Sequence, residues 1–582
     1  MRFDNIMKNV GLTIIGLLLC LGIYAQGGVD SVDVEGLRTN LPIVRINTSN
    51  RINAQEKVMA HMGIICGKAG RNMVKDKAND YDGTVKIKYR GNSSLGFNQK
   101  KFTIETCTEA GKEHDASLLG MPAEHDWVLL APYNDVSMMR DPLAFRMWEE
   151  MGHWAPRFRM VEMVLNGKYE GVYILTEKIK HDDNRVNIAT LKEEDNSGRE
   201  LTGGYLLRID TYNGDDATFQ SKVPGIGDGL FNKQIIWTCL YPKKKNLTDE
   251  QFSYIQSFID SVELCIHSDS YTDKQWGYGR YLKVSSFVDY FIHTELSLNA
   301  DAYKRSAYFY KTKQNEDGSG GQLYAGPVWD YNLAYGNCNF CGANDIYGWA
   351  YNGCSTNPTP EMWKRLIDDP SFRKKVEARY TELRKTILSD SHIDHFIDSI
   401  ASLLADAQVR QYATYPELLG EGVGQDGMMA AGGAFPMMGG FPMPGMPDVP
   451  DSIGGMMPGF GDFPMPGMPN MPDSIGGMMP GFGGFPMMGM PNMPDFGNMQ
   501  MPDFSNMPGM GMMPGFDPSQ MPDFSNMQMP DFSNMPGMEG MGGMQVSWFS
   551  AYRVASYEEE IKMLKDWLHE RLTVMDEAFL SK

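Results

Sequence analysis

The chain has 582 residues, and its 53 Lys and Arg stand against 73 Asp and Glu, giving a formal charge of −20. This length allows several domains and a large core, which excludes a mini-protein. The acidic balance argues against a broad nucleic-acid-binding surface, because no net basic field exists to displace counterions from a phosphate backbone. The 62 Gly, 33 Pro and 45 Met are abnormal counts for a globular chain, and most of the Met fall in one segment.

The first 25 residues have the layout of a secretory signal. Arg2 and Lys8 precede an apolar run from Gly11 to Tyr24, and Ala25 offers a small residue for cleavage. The run is shorter than the roughly 20 residues that a membrane-spanning anchor needs. Lipidation of Cys20 is disfavoured, because no small residue precedes it. We therefore predict that residues 1–25 are removed and that the mature protein is secreted, periplasmic or on the cell surface, without a transmembrane span.

Three of the remaining cysteines are clustered, at Cys338, Cys341 and Cys354. A zinc site is one interpretation, but zinc prefers four ligands and no His lies nearby. One local disulfide plus a free thiol is the favoured alternative.

Two alternating segments, Val85–Arg90 and Lys100–Glu105, flank a polar turn at 91–96 and predict two strands. Such a turn can present backbone N–H groups to an anion, with positive charge from Arg90, Lys100 or Lys101. An ordinary hairpin has the same pattern, so the turn alone leaves phosphate binding open.

A helix is predicted over Met138–Met151, and strands over Phe158–Leu165 and Glu170–Glu177. The Asn-Gly pair that joins these two strands is a strong hairpin signal. The order of strand, turn, strand, helix and hairpin is that of the small lobe of a kinase.

Helices are also predicted near the end of the chain. Apolar residues at three-to-four spacing run from Ser371 to Gln411, and again in Trp548–Lys582, where Ser556 has the character of an N-cap. We expect these helices to pack together, with the segment between them as a long excursion from one loop.

That segment is rich in Met, Pro and Gly and has no Lys or Arg between Met428 and Met544. Its units recur: the stretch at Asp451–Phe460 returns at Asp473–Phe482, and a seven-residue unit beginning at Met501 returns at Met521 and Met529. This composition predicts disorder. Copper(I) binding, a tether for surface association and an insertion without specific role remain open for it.

Five motifs in order carry a resemblance to a known family. They are Arg90–Ser94, Asn166–Lys178, Gly203–Asp210, Asn299–Asp301 and Gly326–Asn332. Together they resemble the CotH family of spore-coat-type protein kinases over about Leu41 to Asn337. The resemblance implies an atypical kinase-like fold that binds ATP and magnesium and phosphorylates exported or coat proteins.

The same resemblance implies roles for individual residues. Asp301 matches the catalytic aspartate and Asp330 the metal-binding aspartate. Apart from the resemblance, Asn332 or Asn337 is a candidate for a further oxygen donor to magnesium. A hairpin between the two aspartates, with a polar tip at 315–321, would return both carboxylates to one cleft. Lys101 is the candidate for the phosphate-binding lysine, with Arg90 and Arg140 as alternates. Glu177 is expected either to contact the nucleotide or to pair with a cation. Kinases place an Asn four or five residues after the catalytic Asp, whereas Arg305 and Ser306 stand here.

The prediction is an α+β protein with an atypical protein-kinase-like two-lobed fold, an appended helical subdomain and a disordered low-complexity insertion. The predicted boundaries are 1–25 for the signal, 41–345 for the kinase-like domain, 346–420 and 547–582 for the helical subdomain, and 421–546 for the insertion. The predicted function is phosphorylation of Ser or Thr in exported or surface proteins. The alternative is a catalytically inactive surface scaffold. A glycan hydrolase that acts through paired carboxylates is disfavoured, because that reaction has no role for the basic turn.

Overall fold

The computed structural model describes residues 32–67, 71–212, 214, 216–227, 234–354, 358–420 and 554–580. The predicted signal at 1–25 and the predicted insertion at 421–546 lie outside these residues. Within the described ranges, none of the helices combines the length and the apolar character that crossing a bilayer requires.

The strands of the described ranges form two larger sheets and one small pair. In chain order they are β1 (Arg38–Thr39), β2 (Ile43–Asn47), β3 (Val58–Ile65), β4 (Asn72–Met73), β5 (Tyr81–Arg90), β6 (Lys101–Thr106), β7 (Asp126–Leu130), β8 (Phe158–Leu165), β9 (Lys168–Glu177), β10 (Tyr205–Ile209), β11 (Ala217–Gln220), β12 (Ile236–Tyr241), β13 (Ala307–Lys311) and β14 (Leu323–Ala325).

The helices of the described ranges lie mostly in the second half of the chain. They are α1 (Arg140–Glu150), α2 (Gly198–Leu201), α3 (Asp249–His267), α4 (Val284–Ser297), α5 (Met362–Asp368), α6 (Pro370–Arg384), α7 (Asp390–Leu404), α8 (Ala407–Thr414) and α9 (Tyr557–Phe579).

Seven strands of the N-terminal half close into a barrel, in the order β2-β3-β5-β6-β7-β9-β8. All neighbours are antiparallel except β2 and β8, whose parallel pairing sets Ile43 opposite Glu162 and closes the barrel. Alternate residues point inward, as the two-residue period of a strand requires. Phe102 and Ile104 of β6 and Trp127 and Leu129 of β7 belong to this inner core.

The predicted mixture of helices and sheets is confirmed, and the strands, the helix and the hairpin of the N-terminal half occur where the sequence predicted them. The sheet, however, closes into a barrel, which the small-lobe prediction did not include. Closure depends on β2 and β8, which pair across more than a hundred residues. Local periodicity carries no information on such pairing, and this topology does not by itself establish a two-lobed kinase-like fold.

The second sheet is antiparallel with the order β11-β12-β10-β13-β14. Its central strand β10 pairs with β13, and β13 forms a hairpin with β14. The almost entirely buried helix α4 belongs to the same hydrophobic core as this sheet. The hairpin predicted after Asp301 is therefore confirmed.

The C-terminal helix α9 contacts α4, α6 and α7. Ser556 caps it by accepting a hydrogen bond from the backbone N–H of Glu559 at 3.1 Å. The predicted helices and their mutual packing are confirmed. The backbone N–H of Gly420 donates to the carbonyl of Val554 at 3.0 Å, so the chain returns to its point of departure across residues 421–553.

Of the clustered cysteines, Cys341 and Cys354 form a disulfide, and Cys338 is a buried free thiol. Burial raises the pKa of the Cys338 thiol to about 12. This arrangement confirms the favoured alternative to a zinc site.

Candidate active site

A cavity of about 450 Å³ lies where the β5–β6 turn of the barrel meets loops of the second sheet. Its polar lining combines cationic, carboxylate and amide side chains. The charged and amide residues are Arg90, Lys101, Arg208, Arg305, Asp210, Asp301, Asp330, Asn92, Asn134 and Asn332. Five of the seven residues predicted for the site, namely Arg90, Lys101, Asp301, Asp330 and Asn332, therefore meet here.

The barrel contributes the turn and its two cationic shoulders. Arg90 ends β5 and lies directly opposite Lys101, which begins β6. The guanidinium of Arg90 stands 5.2 Å from the centre of the Trp329 ring, a cation–π distance. Gly91 starts the turn at φ +117°, and a Cβ atom there would lie 2.0 Å from Ser94 Oγ. Only glycine fits this position.

The loop after α4 carries Asp301. Its backbone is strained, since Leu298, Tyr303 and Ser306 all have positive φ angles. The side chain of Asn299 connects this loop to the next: its Oδ1 accepts from the N–H of Asp301 at 3.2 Å, and its Nδ2 donates to the carbonyl of Asp330 at 3.1 Å. Asn299 thereby holds the two aspartate loops together.

Asp330 follows β14 and has a φ of +65°. The N–H of Tyr331 donates to Asp141 Oδ1 at 2.6 Å, which fixes the backbone directly after Asp330. The Asp330 carboxylate is one-third exposed and lies 3.5 Å from Lys101 Nζ. The cation of the barrel and the carboxylate of the second loop thus form an ion pair in the cavity lining.

Asn332 lies two residues further along the same loop. Its Nδ2 donates to Asn134 Oδ1 at 2.9 Å, which directs its own Oδ1 away from that bond. Asn337 donates to the carbonyls of Asn134 and Asn332. These amides give the loop a fixed shape.

Three carboxylates line this cavity and act on one another electrostatically. Burial, together with the charge of Asp330 and against the opposing charges of Lys304 and Arg305, raises the pKa of Asp301 to about 6. Burial also raises the pKa of Asp210, with Arg208 opposing and Asp330 adding to the shift. On the opposite wall, burial lowers the pKa of Arg90. A divalent cation would relieve the repulsion between the carboxylates.

The comparison with known proteins assigns the family. The family described as CotH kinase protein matches residues 87–427, more than half of the chain. The chain belongs to the CotH family. It is also similar to the inner spore coat protein H of Bacillus subtilis (strain 168), with 22% identity over 321 residues, which cover 55% of this chain and 75% of that relative.

Two of the predicted site residues do not line the cavity of this CotH-family chain. Arg140 is fully buried and pairs with Asp135 and Glu560, both at 2.6 Å. Glu177 is fully buried and pairs with Arg157 at 2.8 Å and Arg185 at 3.2 Å. A buried charge needs a partner of opposite charge inside the protein. Arg140 and Glu177 find theirs in ion pairs that lie away from the cavity lining.

Several cavity residues were missed by the sequence reasoning, among them Arg208, Asp210 and Asn134. Asp210 ends one of the five motifs that carried the CotH resemblance, so the signal was present but was not assigned a role. Asn134 lies in a turn without a regular pattern, and only tertiary contact with Asn332 reveals it.

The cavity contains the types of side chain that bind magnesium and phosphate. Oxygen donors from Asp330 and Asn332 are those that magnesium prefers, and Lys101 and Arg90 supply positive charge for phosphate. Among the described residues, the one group of three possible ligands with all ligand atoms within 4.8 Å lies elsewhere, at Asp115, Glu124 and His125. Glu124 there already pairs with Lys180 at 2.7 Å.

Proposed function

We propose that this chain is a CotH-type protein kinase that transfers the γ-phosphoryl group of ATP to a Ser or Thr hydroxyl of an exported or surface protein. The observation that carries the proposal is the meeting of Asp301, Asp330, Lys101 and Arg90 in one cavity. These residues come from the barrel turn, the loop after α4 and the loop after β14. Family membership supports the same reaction.

Phosphoryl transfer requires positioning, charge neutralisation and an acceptor for the hydroxyl proton. Asp330 and the Oδ1 of Asn332 would hold magnesium, which supplies neutralisation of phosphate charge when bound. Lys101 and Arg90 would contact phosphate oxygens across the cavity. A phosphate group and the magnesium ion that neutralises it would lie side by side, so the residues that bind them should be close. The 3.5 Å between Lys101 Nζ and the Asp330 carboxylate agrees with these assignments.

Asp301 would orient the substrate hydroxyl and take its proton. A pKa of about 6 leaves the carboxylate deprotonated at neutral pH while keeping it more basic than an exposed aspartate. The strained loop and the Asn299 bridge hold it in place relative to Asp330.

The proposed location is outside the cytoplasm. It is supported by the predicted signal at 1–25 and by the similarity to an inner spore coat protein. The protein substrate would accordingly be an exported or surface protein.

The experiment is transfer of labelled γ-phosphate from ATP, with magnesium, to a generic acidic protein, using the chain from Gln26 onward. Asp301→Asn and Asp330→Asn are the test variants. Asp317→Asn is the matched control, because Asp317 is an exposed residue at the tip of the intervening hairpin. Transfer should vanish in both test variants and persist in the control.

A second candidate, an inactive nucleotide-binding scaffold, rests on Arg305 and Ser306, which line the cavity where kinases place a metal-binding Asn. Stabilisation of the fold by magnesium and ATP without any transfer would favour it. Absence of both transfer and stabilisation would overturn the kinase proposal.

A further inference from the structure

The helix α9 reaches the candidate site from outside the part of the chain that the family matches. The match ends at residue 427, whereas α9 begins at Tyr557. Two charged residues of α9, Glu560 and Arg571, are fully buried. Burying a charge costs free energy unless the charge is paired and hydrogen-bonded. The partners of these two residues therefore indicate which parts of the structure they stabilise.

Glu560 connects α9 to the Asp330 loop through Arg140. Glu560 Oε1 accepts from Arg140 Nη1 at 2.6 Å. The same guanidinium donates from Nε to the carbonyl of Ala334 at 3.0 Å and from Nη2 to that of Tyr335 at 3.4 Å. These carbonyls belong to the loop that carries Asp330 and Asn332. The residue next to Arg140, Asp141, holds the N–H of Tyr331.

A packing contact accompanies this ion pair. Gly336 has a φ of +78°, and a Cβ atom there would lie 2.6 Å from Cδ1 of Trp567, another residue of α9. The indole therefore lies directly on the backbone of the Asp330 loop. The ring centres of Trp567 and Tyr335 are 6.3 Å apart, with an edge-to-face arrangement.

Arg571 connects α9 to the Asp301 loop through Glu295. Its Nε and Nη2 donate to the carbonyl of Glu295 at 3.0 and 2.8 Å, in the last turn of α4. The Glu295 carboxylate in turn accepts from the hydroxyl of Tyr303 at 2.8 Å, and Tyr303 lies two residues after Asp301. Arg571 also donates to the carbonyls of Ile346 and Gly348.

The two loops meet each other as well as α9. Besides the Asn299 bridge, the N–H of Tyr335 donates to the carbonyl of Ser297 at 2.7 Å. The loops, α1 and the end of α4 thus form one hydrogen-bonded body, and α9 contacts it at two points three turns apart.

We propose that Glu560 and Arg571 are positioning residues for phosphoryl transfer, Glu560 holding the Asp330 loop through Arg140 and Arg571 holding the Asp301 loop through Glu295. The proposal rests on the proposed kinase function. It makes α9, which follows residues 421–553, part of the machinery that sets the relative placement of the two carboxylates.

The test compares Glu560→Gln and Arg571→Lys with Asp576→Asn in the full chain from Gln26. Glu560→Gln keeps the shape of the side chain and an acceptor oxygen, and Arg571→Lys keeps the charge but loses the fork of donors. Asp576 is the matched control on the same helix, because it bonds Tyr380 at 2.7 Å and Arg384 at 3.0 Å of α6 and contacts neither loop.

We expect both test variants to lower kcat by about 10- to 100-fold at temperatures below their unfolding midpoints, because small displacements of reacting groups have large effects on rate. KM for ATP should change far less. Asp576→Asn should lower the melting temperature without a comparable loss of kcat. Losses of kcat that follow melting temperature in all three variants would overturn the proposal.

Hydrogen–deuterium exchange separates this proposal from the kinase proposal, since it needs no activity. Glu560→Gln should increase exchange in residues 331–337, and Arg571→Lys in residues 298–306, whereas Asp576→Asn should change neither segment. Unchanged exchange in both test variants would overturn the positioning roles. If the two variants show these loop-specific increases while the wild-type protein transfers no phosphoryl group, the coupling of α9 to the loops stands and the kinase reaction is rejected.

Discussion

Asp301 is a half-buried carboxylate whose folded environment disfavours its charge. Burial is the main cause, and the nearby charges of Asp330 and Asp210 act in the same direction. Its pKa of about 6 exceeds the ordinary value of 3.8. The folded protein therefore binds the Asp301 proton more tightly than the unfolded chain does. The stability that this proton binding adds to the fold is present at low pH and is lost as pH rises through about 6.

Asp301→Asn should consequently stabilise the fold while abolishing the proposed transfer. We expect a gain in the free energy of unfolding of about 1–2 kcal/mol near neutral pH, after allowance for solvent at a half-buried site. The gain should shrink below about pH 6 and vanish near the unfolded pKa. Denaturant unfolding at several pH values measures it. A destabilised Asp301→Asn protein at neutral pH would contradict the assigned environment.

Gly91, in the turn that lines the cavity, has a backbone conformation that only glycine adopts without strain. Gly91→Ala should lower the free energy of unfolding by about 1–3 kcal/mol and weaken stabilisation by magnesium and ATP, because backbone strain and the contact with Ser94 both act.

Gly120→Ala is the control, since Gly120 also has a positive φ, +74°, but nothing lies within 4 Å of its added Cβ. It should show the backbone cost alone, of about 1 kcal/mol, with nucleotide binding intact. Thermal shift with and without nucleotide compares the two variants, and equal loss of nucleotide binding in both would contradict the role of the turn.

At the scale of elements, α9 packs on helices that precede it by more than a hundred residues. The departure and return of the chain are joined by the hydrogen bond from Gly420 to Val554. Loop-closure entropy grows only with the logarithm of length, so a long connection between these points is tolerated.

Replacing residues 421–553 by a short Gly/Ser linker should therefore keep the fold. Shortening the connection about tenfold should change the free energy of unfolding by about 2 kcal/mol in the stabilising direction. Differential scanning calorimetry gives the comparison with the wild type. Truncation after residue 420, which also removes α9, is the control and should destabilise the protein strongly. A linker variant that behaves like the truncation would show that the replaced segment is needed for folding.

At the scale of the whole molecule, the barrel and the helical part share a wall. Trp127 and Leu129 of β7 point into the barrel, whereas Val128 and Leu130 belong to the large core with the helices. Strand β7 is buried along its entire length. Neither core can lose this strand without exposing apolar surface to water.

We expect the barrel and the helical part to unfold in one cooperative transition. Calorimetric and van't Hoff enthalpies should coincide within about 10–20%. Val128→Ala, which deletes two methyl groups from the large core only, should lower the melting temperature while keeping a single transition. Two resolved transitions, or a partly folded species that retains the barrel, would contradict this coupling.

The sequence by itself determined the local elements and predicted most of the residues that line the candidate site. Alternating residues predicted β5, β6 and the hairpin of β8 and β9, and three-to-four spacing with Ser556 predicted α9. Family motifs predicted roles for Asp301 and Asp330, and both residues line the cavity. Local elements and motifs can be predicted because they depend on residues close together in the chain.

Tertiary structure alone decided closure of the barrel, the burial of Arg140 and Glu177 in ion pairs and the arrival of Asp210 and Asn134 at the cavity. It also decided the contacts of α9 with the Asp330 loop, through Trp567, and with the end of α4, through Arg571. Each of these depends on pairing between residues far apart in the chain. The free energies of such contacts come from desolvation and geometry that no local pattern contains.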